Sequence, residues 1–348
     1  MTPLIDVLVV DDSALVRQTL KELLERSGEF SVAFAADPFI AERRIAIKRP
    51  QVIVLDIEMP GMDGLTFLTR LMATDPIPVV ICSARAGEDA AVAIEALARG
   101  AIDVLPKPRL AVKDFLSDTS ALLVDTVRAA ALSKRGMAAA RPARPVRTPP
   151  AGINKGIAAS WAVAIGASTG GTEALAVVLS ALPRDSPAVL VVQHMPEGFT
   201  KAFANRLNGL AQMGVKEAED GEPIRQGQVL LAPGNRHMTV VRDGARFAVQ
   251  IQTTPHVNRH RPSVDVLFRS VSETFGSRSV GVLLTGMGRD GAAGLLEMKI
   301  RGAQTIAQDE STSVVFGMPK EAILLGAAGR VLPLQNISSG ILDLLPLS

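Results

Sequence analysis

Short apolar runs alternate with stretches of helical period along most of this chain, and the alternation predicts strands and helices in turn. Residues 4–10 are apolar except at Asp6 and end on Asp11-Asp12. Ser13 stands where a helix cap belongs, and Val16, Leu20, Leu23 and Leu24 then mark one helical face that closes at Gly28. Further strands are expected at 32–35, 52–55, 79–82 and 102–105, with helices at 38–48, 64–74, 89–98 and 112–132. Five apolar strands separated by helices imply an open parallel sheet covered on both faces. Ligands of such sheets sit beyond the carboxyl ends of the strands.

From Ser133 the pattern stops. Arg141, Arg144, Arg147 and Lys155 are scattered among alanines, glycines and Pro142, Pro145, Pro149 and Pro150, and no acid occurs between Asp125 and Glu173. The prolines favour an extended, semi-rigid tether. A basic arm for nucleic acid or anionic lipid is the alternative, disfavoured because no aromatic is interleaved to stack bases.

Alternation then resumes. Residues 161–165 form an apolar run that breaks on Gly166, and a helix is expected at 172–181 after Gly170-Gly171. Strands are expected at 189–192, 280–285 and 303–307, and helices at 199–210 and 264–275 and from Pro319, with Ser263 as a cap. Between 215 and 252, short runs punctuated by Gly221, Gly227, Gly234 and Gly244 suggest hairpins, one turning at Asp243-Gly244. The second half is therefore expected to be a mostly parallel α/β sheet with an antiparallel excursion.

Length and composition narrow the class. At 348 residues about two domains are expected, placed at 1–132 and 157–348 with a Pro/Arg/Ala-rich linker at 133–156. A net charge of +2 calls for no nucleic acid. Cys82 is the single cysteine, which excludes an internal disulfide and fits a reducing compartment. A strand pattern begins within a few residues of Met1, leaving no room for a signal peptide, and no apolar run approaches the roughly 18 residues of a membrane span. A cytoplasmic protein, not inserted in a membrane, is expected.

The strand ends of the first half carry chemistry. Asp11 and Asp12 follow the first strand, Asp56 the third, Ser83 the fourth and Lys107 the fifth. One such aspartate is usually a turn residue. Three converging carboxylates repel one another, and a hard cation such as Mg²⁺ relieves them. The motifs V-V-D-D-S, L-D-I-E-M-P-G-M-D-G (residues 55–64), Ser83 and Lys107-Pro108 resemble the receiver domain of response regulators. The resemblance implies a flavodoxin-like fold in which Asp56 accepts a phosphoryl group from a chemotaxis histidine kinase. It also implies that Asp12, Asp56 and the backbone carbonyl of Glu58 hold Mg²⁺, with Asp11 assisting. Lys107 would neutralise the phosphoryl oxygens, and Ser83 would bind the phosphate. Receivers commonly carry Tyr or Phe three residues before the lysine, where Val104 stands here, so no aromatic switch is expected.

In the second half, Ser168, His194 and Asp290 each follow a predicted strand. A serine hydroxyl becomes a nucleophile when an imidazole takes its proton, and the imidazole needs a carboxylate to fix its tautomer. A backbone N–H near Ser168 and one from the Met287 loop are the candidate oxyanion donors, each typically worth about 3 kcal/mol. Each member alone has a plainer reading: a turn serine, a structural histidine, a helix-capping aspartate. His237, His256 and His260 are competing bases, but they lie in hairpin or loop patterns. A dinucleotide loop is the other reading of the glycines. It wants an acid at the end of the next strand, where Gln193-His194 stands, and the lysine of a phosphate-binding loop is missing.

The motifs W-A-V-A-I-G-A-S-T-G-G, Q-H-M-P, N-R-H-R-P-S-V-D-V-L-F, L-L-T-G-M-G-R-D-G and Q-D-E-S-T-S-V-V-F-G-M-P-K-E-A resemble the catalytic domain of the chemotaxis protein-glutamate methylesterase/glutaminase (CheB) family. That resemblance implies a Rossmann-like doubly wound methylesterase domain with Ser168, His194 and Asp290 as triad and Thr169 and Met287 lining the site. It implies a phosphorylation-activated hydrolase that demethylates glutamate esters of methyl-accepting chemoreceptors and deamidates certain glutamines, with no cofactor for hydrolysis. A response regulator whose second domain binds a nucleotide or protein is the alternative of a different class. A DNA-binding output is disfavoured because no basic recognition helix is visible.

Overall fold

A computed structural model describes residues 3–83, 88–108, 115–133, 160–244 and 246–346. The chain divides into two compact units, Met1–Arg141 and Pro142–Ser348. Apart from Ser133, the expected tether at 133–156 lies outside the described residues.

The first unit runs β1(Ile5–Val10), α1(Ala14–Glu25), β2(Phe30–Ala35), α2(Pro38–Ile47), β3(Val52–Asp56), α3(Gly64–Thr74), β4(Val79–Ser83), α4(Glu88–Ala98), β5(Asp103–Pro106) and α5(Phe115–Ala131). Its five strands pair in parallel in the order β2-β1-β3-β4-β5. Ser13, Asp37 and Asp63 cap α1, α2 and α3 through their side-chain oxygens, as short polar residues ahead of a helix do. The expected start of α5 at 112 lies outside the described residues. Strand order reverses between β1 and β3, which opens a crevice at their carboxyl ends.

The second unit runs β6(Ala162–Ala167), α6(Gly171–Ser180), β7(Ala188–Gln193), α7(Thr200–Leu210), β8(Gly214–Glu217), β9(Gln228–Leu231), β10(His237–Asp243), β11(Arg246–Gln252), α8(Val264–Phe275), β12(Ser279–Leu283), α9(Ala292–Ile300), β13(Gln304–Gln308), α10(Met318–Leu324), β14(Arg330–Leu332) and α11(Ile337–Leu342). Seven strands form a parallel sheet in the order β14-β13-β12-β6-β7-β9-β8, and β10-β11 form a separate antiparallel pair. The chain builds outward from β6 on one side and returns through β12 on the other, so the switch point is the end of β6.

Two expectations change. The region 215–252 is only partly hairpin: β8 and β9 run parallel and extend the main sheet, while the hairpin is confined to β10 and β11. A period-two apolar pattern marks a strand without giving its direction, so glycine-punctuated runs read alike either way. The sheet also gains β14, a three-residue edge strand with half or more of its residues exposed and hence little apolar signal. Among the described residues no helix is long and apolar enough to cross a membrane.

Candidate functional site

Ser168 leaves β6 with its backbone held from several directions. Its N–H donates to the Thr285 carbonyl (3.0 Å), while its own carbonyl accepts from Gly171 N (2.7 Å) and Gln193 Nε2 (2.9 Å). Thr285 Oγ1 in turn donates to the Thr169 carbonyl at 3.0 Å. A Cβ on Gly286 would come within 2.6 Å of the Ser168 Cβ, so only glycine lets the β12 loop pass this closely. The amides of Thr169 and Met287 donate no hydrogen bond to the described residues.

His194 is the first residue after β7. Ala167 pairs with Gln193, and His194 N donates to the Ala167 carbonyl at 3.0 Å, so Ser168 and His194 emerge side by side at adjoining strand tips. His194 Nε2 lies 2.8 Å from Asp290 Oδ2. Because a carboxylate only accepts, the neutral ring carries its proton on Nε2 and its lone pair on Nδ1. Nδ1 is buried and has no hydrogen-bond partner, so the contact from the Ser168 hydroxyl is open here.

Asp290 is buried and spends its acceptor sites on five donors. Oδ2 takes His194 Nε2 and Val264 N (2.7 Å); Oδ1 takes Asn258 Nδ2 (2.7 Å), Ser263 Oγ (2.8 Å) and Asp265 N (3.3 Å). Burial opposes ionisation, but these bonds and the histidine rings outweigh it and hold the carboxyl well below the ordinary range. Val264 N and Asp265 N are the first amides of α8, so Asp290 caps that helix and sits at its positive end. Gly166 makes this approach possible, because a Cβ there would collide with the Val264 side chain. Ser263 holds the cap position of α8 as expected, yet its hydroxyl binds Asp290 rather than the helix. Nor does Asp290 cap α9, which follows it. Gly294 N of α9 donates to Asp265 Oδ1 at 2.6 Å, so Asp265 and Asp290 have exchanged helices.

The remaining histidines separate by environment. His237 is buried with both nitrogens satisfied: Ser263 N donates to Nδ1 and Nε2 donates to the Pro255 carbonyl, both at 3.1 Å. Burial lowers its pKa, and with both nitrogens bonded it has none free for a reacting group. His256 is exposed. His260 stacks on His194, with ring centroids 3.7 Å apart and planes 35° from parallel. Burial first, then the neighbouring His194, pushes its pKa down to about 3, so it stays neutral. Neither Asn258 nor Asp265 stands out by pattern; both lie inside the N-R-H-R-P-S-V-D motif, the only signal that marks them.

At the carboxyl edge of the first unit, Asp11, Asp12 and Asp56 bring ligand oxygens within 4.8 Å of one another. Lys107 Nζ donates to Asp56 Oδ2 at 2.6 Å and lies 3.6 Å from Asp11 Oδ2. Glu58 N donates to Asp56 Oδ1 (3.2 Å) and Ser13 N to Asp11 Oδ1 (2.8 Å). Asp11 Oδ2 is buried with no hydrogen-bond donor. Burial pushes the Asp11 and Asp56 carboxyls up, with Lys107 opposing. Burial draws Lys107 down, and the Asp56 hydrogen bond and both carboxylate charges more than reverse it. Oxygens only, with one left undonated, suit a hard divalent cation. Ser83 is buried at the end of β4, where its carbonyl accepts Lys107 N at 2.9 Å, and Val104 is buried within β5.

Residues 163–341 match the family model described as CheB methylesterase, and residues 7–114 match that of the response regulator receiver domain. A protein-glutamate methylesterase/protein-glutamine glutaminase of Anaeromyxobacter dehalogenans is 54% identical over 97% of this chain and 98% of its own. One from Rhodospirillum rubrum is 52% identical over 97% and 98%. The crystal structure of the Thermotoga maritima CheB methylesterase catalytic domain is 41% identical, covers 53% of this chain and 98% of its own, and superposes with a TM-score of 0.52.

Proposed function

The chain belongs to the CheB methylesterase family, and we propose that Ser168, His194 and Asp290 are the catalytic residues with which it hydrolyses glutamate γ-methyl esters and glutamine γ-amides of methyl-accepting chemoreceptors. One observation carries the reading: His194 has Nε2 committed to Asp290 and a bare, buried Nδ1 on the strand tip beside Ser168.

The chemistry follows from that asymmetry. Ser168 Oγ attacks the γ-carbonyl carbon and gives its proton to His194 Nδ1, and the imidazolium is held by the Asp290 carboxylate. Closing the Ser168–Nδ1 contact is left to the substrate complex, as is common for catalytic bonds that are long in the free enzyme. The Thr169 and Met287 amides are the donors for the tetrahedral oxyanion. Nδ1–H then protonates the leaving methoxide or amine, and methanol or ammonia departs from an acyl-serine. Water, deprotonated by Nδ1, attacks the acyl carbon; Ser168 recovers its proton and glutamate is released. Ester and amide are near-isosteric, so one pocket serves both.

The receiver unit supplies control. Asp56 accepts the phosphoryl group of a chemotaxis histidine kinase, with Lys107 against the incoming oxygens and Ser83 as their hydrogen-bond partner. Asp11, Asp12, Asp56 and the Glu58 carbonyl would hold Mg²⁺, which when bound neutralises phosphoryl charge. Phosphorylation of Asp56 raises hydrolysis by the second unit.

The test is methanol release from methylated receptor. Ser168→Ala abolishes it while Asp56 still takes a phosphoryl group from a small-molecule phosphodonor. Undiminished release by Ser168→Ala contradicts the assignment.

A further inference from the structure

The surface turn at 257–260 touches both Asp290 and His194 of the hydrolytic site. Val257 and His260 exchange backbone hydrogen bonds of 3.1 and 2.9 Å, and the two residues between them have left-handed φ, 52° at Asn258 and 67° at Arg259. Asparagine tolerates that region and arginine seldom occupies it, so such a turn persists only where its surroundings fix it. Two contacts do the fixing. Asn258 Nδ2 is forked between Asp290 Oδ1 and Asp265 Oδ2, 2.7 Å from each. His260 lies flat against the His194 ring.

Asp265 and Asp290 are both buried, and each binds the first turn of the other's helix. Two carboxylates this close repel, and the two hydrogens of one neutral amide bridge them without adding charge. Burying charge in this way demands that the bridging donor be in place. We propose that Asn258 is a positioning residue of the hydrolytic site, holding the Asp290 carboxylate and, through His260 in the same turn, the His194 ring at the angle that proton transfer requires. The proposal rests on the assignment of His194 and Asp290 made above. Asn258 acts through Asp290 and does not touch the reacting atoms.

Three variants of the full chain test it, with a glutamate γ-methyl ester peptide as substrate. Asn258→Gly keeps the left-handed turn at no steric cost and removes only the amide. Its kcat is expected to fall about 10- to 100-fold with KM within about twofold, the pattern of misplaced catalytic groups. Asn258→Asp places a third acid among Asp290, Asp265, His194 and His260. It is expected to lose more than Asn258→Gly near pH 7 and to regain on it as pH falls toward about 5, where the new carboxyl takes up a proton and becomes a donor again. His260→Ala removes the stack on His194 and is expected to lower kcat by about threefold or more with KM unchanged. Wild-type kcat in Asn258→Gly, or an Asp variant that tracks the Gly variant at every pH, overturns the proposal. Losses of kcat matched by an equal rise in KM and a fall in melting temperature also overturn it, because they mark a purely structural turn. Labelling of the wild type at Ser168 by a fluorophosphonate runs alongside. No labelling overturns the hydrolase assignment itself, whereas labelling with an unaffected Asn258→Gly overturns the positioning role alone.

Discussion

The two units place chemistry at the same point of the same architecture, yet their buried carboxylates are held in opposite ways. In the receiver, Asp11 and Asp56 share one lysine, one Asp11 oxygen has no donor, and burial raises both pKa values. In the hydrolytic unit, Asp290 is as buried but satisfied by five donors from its own chain, and its pKa is lowered. A carboxylate short of donors awaits outside charge, a metal ion or a phosphoryl group. One that is saturated is fixed in its charged form and can steady an imidazolium. Local donor count, more than depth or fold, separates a site that is switched from one that is permanently set.

The two units differ most at Asp290. Asp290→Asn should cut hydrolysis by about a thousandfold or more, because an amide there favours the wrong tautomer of His194, and kcat against methyl ester checks it. Asp290→Ala should also destabilise the second unit by roughly 1–2 kcal/mol, since Val264 N and Asp265 N lose their cap; chemical denaturation followed by Trp161 fluorescence reads that unit. At Asp56 the stability effect is opposite in sign. Folding raises the pKa of this carboxyl, so its ionisation opposes folding at neutral pH and the penalty disappears below the unfolded value near 3.8. Asp56→Asn should therefore raise the receiver's melting temperature by a few degrees at pH 7 in the absence of divalent metal and by less at pH 4, while abolishing stimulation by phosphodonor. Scanning calorimetry of the full chain measures the shift, and added Mg²⁺ should stabilise the wild-type receiver more than the variant.

Acid provides a smaller, subtler contrast. His260 titrates near 6.5 when unfolded and about 3 when folded, so the unfolded chain binds the proton that the native state refuses. Stability of the second unit should fall as pH drops from about 6.5 toward 3, with Asp290 adding to the loss as pH falls below its unfolded value near 3.8 toward its lowered folded pKa. His260→Phe should flatten the upper part of that decline, and Trp161-detected melts from pH 7 to pH 4 test it.

Much of this was legible in the residues. Helix Val264–Phe275 matches its apolar periodicity to the residue, and each receiver aspartate lies at the strand end that the alternation placed it on. Ser168 and His194 could be picked out because both terminate strands, and adjoining strands bring their tips together. The partners of Asp290 could not be read this way. Periodicity records which face of a helix is buried and says nothing of which loop folds over which strand tip, so His260 reads as a loop residue though its ring lies on His194. Ser263 has the sequence of a cap and the structure of a carboxylate ligand, because a nearer anion supplies the cap. The same limit hid the parallel course of β8 and β9, whose pairing depends on the connection between them rather than on either strand's pattern.

The catalytic assignment is met most directly by phosphonylating the full chain with a fluorophosphonate and mapping the adduct by mass spectrometry, in the wild type and in His194→Ala. A single adduct on Ser168 is expected, formed at least about a hundredfold more slowly when the imidazole is removed. An adduct on another residue, or one on Ser168 that forms as fast without His194, would contradict the assignment.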